Sequence, residues 1–304
     1  MTPRLKRCAE ASDRASAANG PESDASRGES LPLPAKKRRW NFTPPPARRL
    51  PQRPPSVSRL VIATASPKKP SDEVRAKIGG WKMLAGIDVE THGWERVESI
   101  GGLGQYGFYC ICPPAKLQAR IVQLGWVVGE INGNPVRKER IVKPIDFQIE
   151  DKAARFHGIS HEHAMADGLP LPQVLEEFLD DMLAASLGGG RMICHHLEFD
   201  AGIIANEIDR AGLGSRKHEW ETFACQGFCT MDACIGKWLR ECAGWETRAE
   251  PHLNIMKLPA MVEALRPYRS SWPPWVQHTA GDDAQTHFAI YEALVELLRR
   301  ADEI

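Results

Sequence analysis

The sequence lacks any long apolar run. None of its 304 residues belongs to a stretch approaching the ~20 apolar residues that a membrane-spanning helix needs. Arg4, Lys6 and Arg7 lie near the start, but no apolar segment follows them as it does in a secretory signal. We therefore expect an intracellular protein with reduced thiols and no membrane partner.

The sequence also lacks the cysteine spacing of a structural zinc site. It has 8 cysteines, among which Cys110 and Cys112 form one pair and Cys225, Cys229 and Cys234 form a loose group. Neither set matches paired C-x-x-C knuckles. Free thiols are the expectation.

The absence of net charge hides an asymmetry. Residues 1–77 contain 17 Lys/Arg and 7 Asp/Glu out of 39 of each in the chain, so the remainder is acidic by ten charges. A basic segment joined to an acidic body is typical of a tail that seeks nucleic acid or a receptor. The acidic body alone would repel a phosphate backbone, which favours a metal-dependent protein over a simple DNA-binding one.

Residues 1–77 are rich in Pro, Ser and Arg and have too few apolar residues to form a core, so we predict a disordered arm. Within it, Lys36–Arg39 resembles a nuclear localisation signal, although a generic basic linker is the alternative. Prolines at 44–46 and 54–55 favour extended segments that could bind a partner protein.

The body, residues 78–304, alternates strands and helices after an initial antiparallel meander. This order predicts an α/β fold with a mixed sheet and helices on both faces. The segments with strand or helix periodicity are strands over 84–91, 120–128, 136–142, 191–194 and 228–232, and helices over 172–187 and 256–265, around 203–208 and 237–239, and from about 278.

The first strand ends in two acids, Asp88 and Glu90. Side chains two residues apart on a strand project from the same face, and adjacent carboxylates are costly unless a cation neutralises them. Oxygen ligands at this density suit Mg²⁺ or Mn²⁺. The alternative is an ordinary strand end at which both carboxylates are exposed to solvent.

Three further polar residues lie at element boundaries. Asp200 opens one helix, Asp283 lies in the first turns of the last helix, and His278 precedes that helix. The spacing alone leaves ordinary roles open, because an acid near a helix start interacts well with the helix dipole and a histidine can cap a helix or lie on the surface.

Three motifs resemble those of the DEDDh family of 3′→5′ exonucleases, which includes the proofreading subunit of the bacterial replicative polymerase. They are Asp88-x-Glu90, His195-His196-x-x-Phe199-Asp200 and His278-x-Ala280-x-x-Asp283-Ala284. The resemblance covers residues from about 82 to 300. Supporting similarities lie at 120–125, at His157–Ser160 and at Asp232.

The resemblance implies a ribonuclease H-like fold with a five-stranded mixed sheet, and a two-metal mechanism that uses Mg²⁺, with Mn²⁺ as a substitute. Asp88 would bridge both ions, Glu90 and Asp283 would hold the ion of the attacking water, and Asp200 would serve the other ion. His278 would be the general base. The implied reaction releases nucleoside 5′-monophosphates from the 3′ end of DNA or RNA. The alternative is a catalytically weak nucleic-acid-binding scaffold of the same fold, tethered to a partner complex.

The resemblance also implies substrate contacts and shows departures from the family. The implied substrate-binding residues are Val89, Thr91, His157, Ile159 and His196. His196 stands where the family usually has asparagine, which puts substrate preference in question. The motif spacing selects Asp283 rather than Asp282 as the third acid.

An insertion over about 92–117 follows the first motif, in a region that the family places near the terminal nucleotide. Its aromatic residues could stack on bases or pack together in a small core of their own. These residues are Trp94, Tyr106, Phe108 and Tyr109.

Overall fold

The computed structural model describes residues 67–93, 119–249, 251–275 and 278–303. These residues belong to one compact unit, Thr64–Ile304. The predicted arm up to residue 66, its Lys36–Arg39 cluster and proline segments, and nearly all of the predicted insertion lie outside the described residues. Among the helices that are described, none is both long and apolar enough to cross a membrane.

Five strands form a single mixed sheet in the order β3-β2-β1-β4-β5. Strand β2 runs antiparallel to β1 and β3, while β4 and β5 run parallel to β1. This arrangement confirms the predicted α/β class with a five-stranded mixed sheet. The strands are β1 (Met83–Thr91), β2 (Ile121–Glu130), β3 (Val136–Ile141), β4 (Arg191–Cys194) and β5 (Phe228–Cys229).

Nine α-helices are described around the sheet, and those that pack on it form a layer on each face. They are α1 (Asp72–Ile78), α2 (Asp151–His157), α3 (His161–Asp167), α4 (Leu171–Leu187), α5 (Leu197–Arg210), α6 (Lys217–Ala224), α7 (Ala233–Cys242), α8 (Leu258–Leu265) and α9 (Ala280–Asp302). Leu84 packs with α1, α7, α8 and α9 in one apolar cluster, whereas Ala85 and Ile87 pack with α4, α5 and α6 in another. The alternation along β1 therefore assigns each side chain to one layer.

Three boundaries differ from the sequence prediction for local reasons. Ser71 caps α1 by accepting a hydrogen bond from the Val74 amide, and α1 crosses the predicted arm boundary at 77/78, so the packed region begins earlier than predicted. Strand β5 stops at Cys229 because Asp232 caps α7, accepting from the amides of Cys234 and Ile235. The helix predicted from 256 begins at Leu258. Helix α6 was not predicted.

Candidate active site at the carboxyl end of β1

The carboxyl-terminal end of β1 places two acids on the face of the sheet that α9 covers. Gly86, Asp88 and Glu90 alternate with Ile87 and Val89, so the three share the face opposite the α4–α6 layer. Asp88 lies opposite Gly125 of β2, and Glu90 lies opposite Gln123. The two carboxylates therefore lie on one face of the strand, as the two-residue spacing predicts.

Helix α9 approaches this face closely because small residues meet there. A Cβ at Gly86 would lie 2.5 Å from the Ala284 carbonyl oxygen, and one at Gly125 would lie 2.2 Å from the Ala280 carbonyl carbon. Any side chain at either glycine would push the helix away. The close approach brings Asp283, in the first turn of α9, beside the acids of β1.

Two strand side chains fix where α9 begins. Gln123 Oε1 accepts a hydrogen bond from the Ala280 amide at 2.9 Å, and Glu139 Oε2 accepts one from the Gly281 amide at 3.0 Å. The first amides of a helix have no partner within the helix, so these side chains satisfy them from the sheet. The start of α9, and with it Asp283, is held by β2 and β3.

Asp200 reaches the same strand end from the other layer. It lies in the first turn of α5 and is only 4 % exposed. Its Oδ1 accepts a hydrogen bond from the Val89 amide at 3.2 Å, and its Oδ2 accepts one from the Cys194 thiol at 2.9 Å. The carboxylate is therefore anchored to both β1 and β4.

His278 lies in front of α9, with its backbone in the left-handed region at φ 68°. A carboxylate oxygen of Glu90, one of Asp283 and a ring nitrogen of His278 all lie within 4.8 Å of one another. The His278 ring lies on Phe156, with centroids 3.8 Å apart and planes tilted by 38°. Burial lowers the pKa of His278, so the imidazole is neutral and able to accept a proton near neutral pH.

Burial and mutual repulsion disfavour ionisation of all four acids. Burial, and then repulsion from Asp200, Asp283 and Glu90, raise the pKa of Asp88 well above its usual range. Burial is also the first cause at the other three, raising the pKa of Glu90 to about 8, of Asp200 to about 7 and of Asp283 to about 6. Among the described lysines and arginines, none forms an ion pair with these acids. Since no described lysine or arginine neutralises these carboxylates, the site has the chemistry of one that binds a cation from solution.

The predicted substrate-binding residues surround this strand end. Val89 and Thr91 are buried in β1, and the Val89 amide is already engaged by Asp200. His157, the last residue of α2, and Ile159 are buried, and His157 Nδ1 accepts a hydrogen bond from the Ile159 amide at 3.1 Å. His196 immediately precedes α5 and packs on Phe199, with ring centroids 5.6 Å apart.

Two contacts to site residues were not predicted from the sequence. Trp275 Nε1 donates to Asp283 Oδ1 at 2.5 Å, and Phe156 supports the His278 ring. Neither residue stands at a spacing that periodicity or motif reasoning singles out. Asp282, the neighbour of Asp283, pairs instead with Arg137 at 2.8 Å, which agrees with the choice of Asp283.

The cysteines also behave as expected where they are described. Cys194, Cys229, Cys234 and Cys242 are free thiols. Within the described part of the chain, the one cluster with the spacing of metal ligands is Glu90, His278 and Asp283. Cys110 and Cys112 lie outside the described residues.

No protein-family model matches the chain, and no curated protein matches it. Among solved structures it is similar to a product-bound exonuclease I, with 14% identity over 74% of this chain and 46% of that chain and a TM-score of 0.48. It is also similar to E. coli exonuclease I in complex with a dA16 oligonucleotide (14%, 73% and 42%, TM-score 0.49) and to a full-length 3′-exonuclease (16%, 71% and 61%, TM-score 0.43). The chain spans less than half the length of these exonuclease I chains.

Proposed function

We propose that this protein is a metal-dependent 3′→5′ exonuclease that hydrolyses phosphodiester bonds at the 3′ end of DNA or RNA. The observation that carries the proposal is the convergence of Asp88, Glu90, Asp200 and Asp283 at one strand end, beside a neutral histidine. Four acids with raised pKa values and no lysine or arginine partner among the described residues call for cations from outside the chain.

The donor set fits Mg²⁺, with Mn²⁺ as a substitute, because the ligand atoms are carboxylate oxygens. We assign Asp88, which repels the other three acids, to both ions of a pair. Glu90 and Asp283 would hold one ion, and Asp200, which lies in the opposite layer, would serve the other. Divalent ions held by these carboxylates would supply the charge that activates a water molecule and stabilises the leaving 3′-oxygen.

His278 is the proposed general base. Its imidazole lies next to Glu90 and Asp283, and its lowered pKa keeps it unprotonated near neutral pH. Proton transfer to a positioned side chain contributes typically 10²–10⁴-fold to a rate. The contact with Phe156 restricts the orientation of the His278 ring.

The 3′ end would enter over the end of β1. Thr91, His157, Ile159 and His196 lie around this point and are the proposed substrate contacts. Since the Val89 amide is bonded to Asp200, any contact from Val89 would use its carbonyl group or side chain.

A gel assay with 5′-labelled single-stranded DNA and RNA in Mg²⁺ tests the proposal. We expect a ladder that shortens from the 3′ end and disappears in Asp88→Ala. Asp282→Asn is the matched control, because Asp282 neighbours Asp283 but pairs with Arg137. Binding of both polymers without cleavage would instead identify a nucleic-acid-binding scaffold.

We further propose that Lys36–Arg39 directs the protein to the nucleus and that the proline-rich arm binds a partner protein. Both proposals rest on the sequence. A fluorescent fusion that remains cytoplasmic would remove the first. Co-precipitation with a protein that lacks residues 1–66 tests the partner proposal. If this shortened protein retains every partner of the full chain, the proposal is wrong.

A further inference from the structure

The Asp283 carboxylate is held on both of its oxygens. Trp275 Nε1 donates to Oδ1 at 2.5 Å, and the His278 amide donates to Oδ2 at 3.1 Å. Both donors come from the few residues before α9, eight and five positions ahead of Asp283. One carboxylate is thus bound by the same part of the chain that carries the proposed general base.

The Trp275 contact is specific rather than a general property of indoles in this region. Trp272, three residues earlier, is also partly buried and packs against the same apolar cluster as Trp275. Among the described residues, the buried Trp272 Nε1 has no hydrogen-bond partner. Two neighbouring tryptophans therefore share packing but differ in one hydrogen bond, and the acceptor of that bond is a buried acid of the site.

The hydrogen bonds leave Asp283 able to bind a cation. Each carboxylate oxygen offers about two lone-pair directions, and one N–H donor occupies one of them. With both oxygens engaged, rotation of the carboxylate group is restricted, and its remaining lone pairs keep a fixed direction. Groups that orient a metal ligand in this way typically change metal affinity or activity by 10–100-fold when they are removed.

We propose that Trp275 is a positioning residue for the metal site: its indole N–H orients Asp283 and links the metal ligand to the segment that carries His278. This inference rests on the proposed function and extends it to a residue that touches neither metal nor substrate. Removing the N–H while keeping the ring should therefore weaken metal binding without removing any ligand.

Trp275→Phe and Trp272→Phe form the matched pair of variants. Both substitutions keep an aromatic ring, but only the first removes a hydrogen bond. We expect the Mg²⁺ concentration for half-maximal thermal stabilisation to rise about 10–100-fold in Trp275→Phe and to stay near that of the unsubstituted protein in Trp272→Phe. Cleavage at saturating Mg²⁺ should recover in Trp275→Phe, which a general loss of structure would prevent.

Indole ¹H–¹⁵N NMR of the unsubstituted protein gives a second readout that needs no Trp275 variant. The chain has 9 tryptophans, and we expect the indole resonance that responds most to Mg²⁺ to be the one displaced in Asp283→Asn. The inference is wrong if Mg²⁺ binds without moving such a resonance. It is also wrong if Trp275→Phe binds Mg²⁺ as tightly as the unsubstituted protein or more tightly. Either result would leave the exonuclease proposal standing. Absence of any Mg²⁺ binding by the unsubstituted protein would remove both.

Discussion

Buried acids occur in two regions of this molecule, and their surroundings differ. Glu207 of α5 is 1 % exposed and accepts hydrogen bonds from Arg120 at 2.7 Å and Arg210 at 2.8 Å. Burial raises its pKa, but each arginine opposes that effect. At Glu90, burial raises the pKa and the neighbouring Asp283 and Asp200 raise it further.

The difference in neighbouring charges distinguishes a carboxylate with a structural role from carboxylates suited to bind a ligand. The chain supplies Glu207 with cations of its own, so the carboxylate is compensated as soon as the protein folds. The four acids at the end of β1 have no lysine or arginine partner among the described residues, so a bound cation of the proposed kind would be what compensates them. The same substitution, acid to amide, should therefore have opposite effects on the stability of the metal-free protein in the two regions.

The largest expected effect is on cleavage by Asp88→Asn. Loss of a ligand shared by two ions removes several kcal/mol of transition-state stabilisation, so we expect a fall of about 10³-fold or more in kcat/KM. The metal-free variant should unfold at a higher temperature than the unsubstituted protein, because the amide replaces a buried carboxyl group whose ionised form the site disfavours. Lower stability of metal-free Asp88→Asn would contradict the interpretation of the site.

Glu207→Gln should have the opposite effect on stability. It leaves Arg120 and Arg210 without their shared carboxylate, and breaking a buried ion pair from one side costs about 3 kcal/mol or more. Chemical unfolding measures this loss, with Glu198→Gln, at an exposed position of the same helix, as the control. Equal stabilities of the two variants would mean that the arginines contribute little at Glu207.

The acids at the end of β1 should also make stability depend on pH. The folded-state pKa values of about 6 for Asp283, 7 for Asp200 and 8 for Glu90 lie above the ordinary values near 4. These three acids thus bind more protons in the folded metal-free protein than in the unfolded chain, and their contribution to stability falls as pH rises from about 4 to 8. Buried histidines such as His195 and His287, with pKa values lowered to about 3 and about 4, give the opposite trend below about pH 6.5.

We expect a loss on the order of 3 kcal/mol between pH 6.5 and 8, above the range in which the buried histidines titrate, measured by urea unfolding without metal. Mg²⁺ should then raise the melting temperature more at pH 8 than at pH 5.5, because ionised carboxylates bind it. Asp88→Asn should flatten both dependences. A metal-free stability that rises over this range would refute the assigned pKa shifts.

Arg210→Met should give the smallest effect of the four. It removes one of the two cations at Glu207 and leaves Arg120, which is closer to the carboxylate. We expect a loss of about 1.5 kcal/mol, the lower end for a hydrogen bond to a charged group, since solvent reaches Arg210. A loss as large as that of Glu207→Gln would show that Arg120 does not compensate the carboxylate alone.

Much of the fold was predictable because periodicity encodes it. The strand that carries Asp88 and Glu90, the helix that begins before Asp283 and the parallel strand over 191–194 all follow from apolar patterns. Helices α1, α3 and α6 were not predicted. The 7 residues of α1 and 8 residues of α6 are too short to repeat a stripe, and their stability comes from tertiary packing of Val74, Ile78 and Trp220.

The sequence by itself determined the acids, their order and the two-residue spacing that puts Asp88 and Glu90 on one face of a strand. Tertiary structure alone decided how near Asp283 and Asp200 come to them. The approach of α9 depends on Gly86 and Gly125, which belong to different strands and form a gap only once those strands pair. The contact of Trp275 with Asp283 likewise depends on the path of the chain before α9. Spacing along a strand is local, whereas such distances arise only when the layers pack.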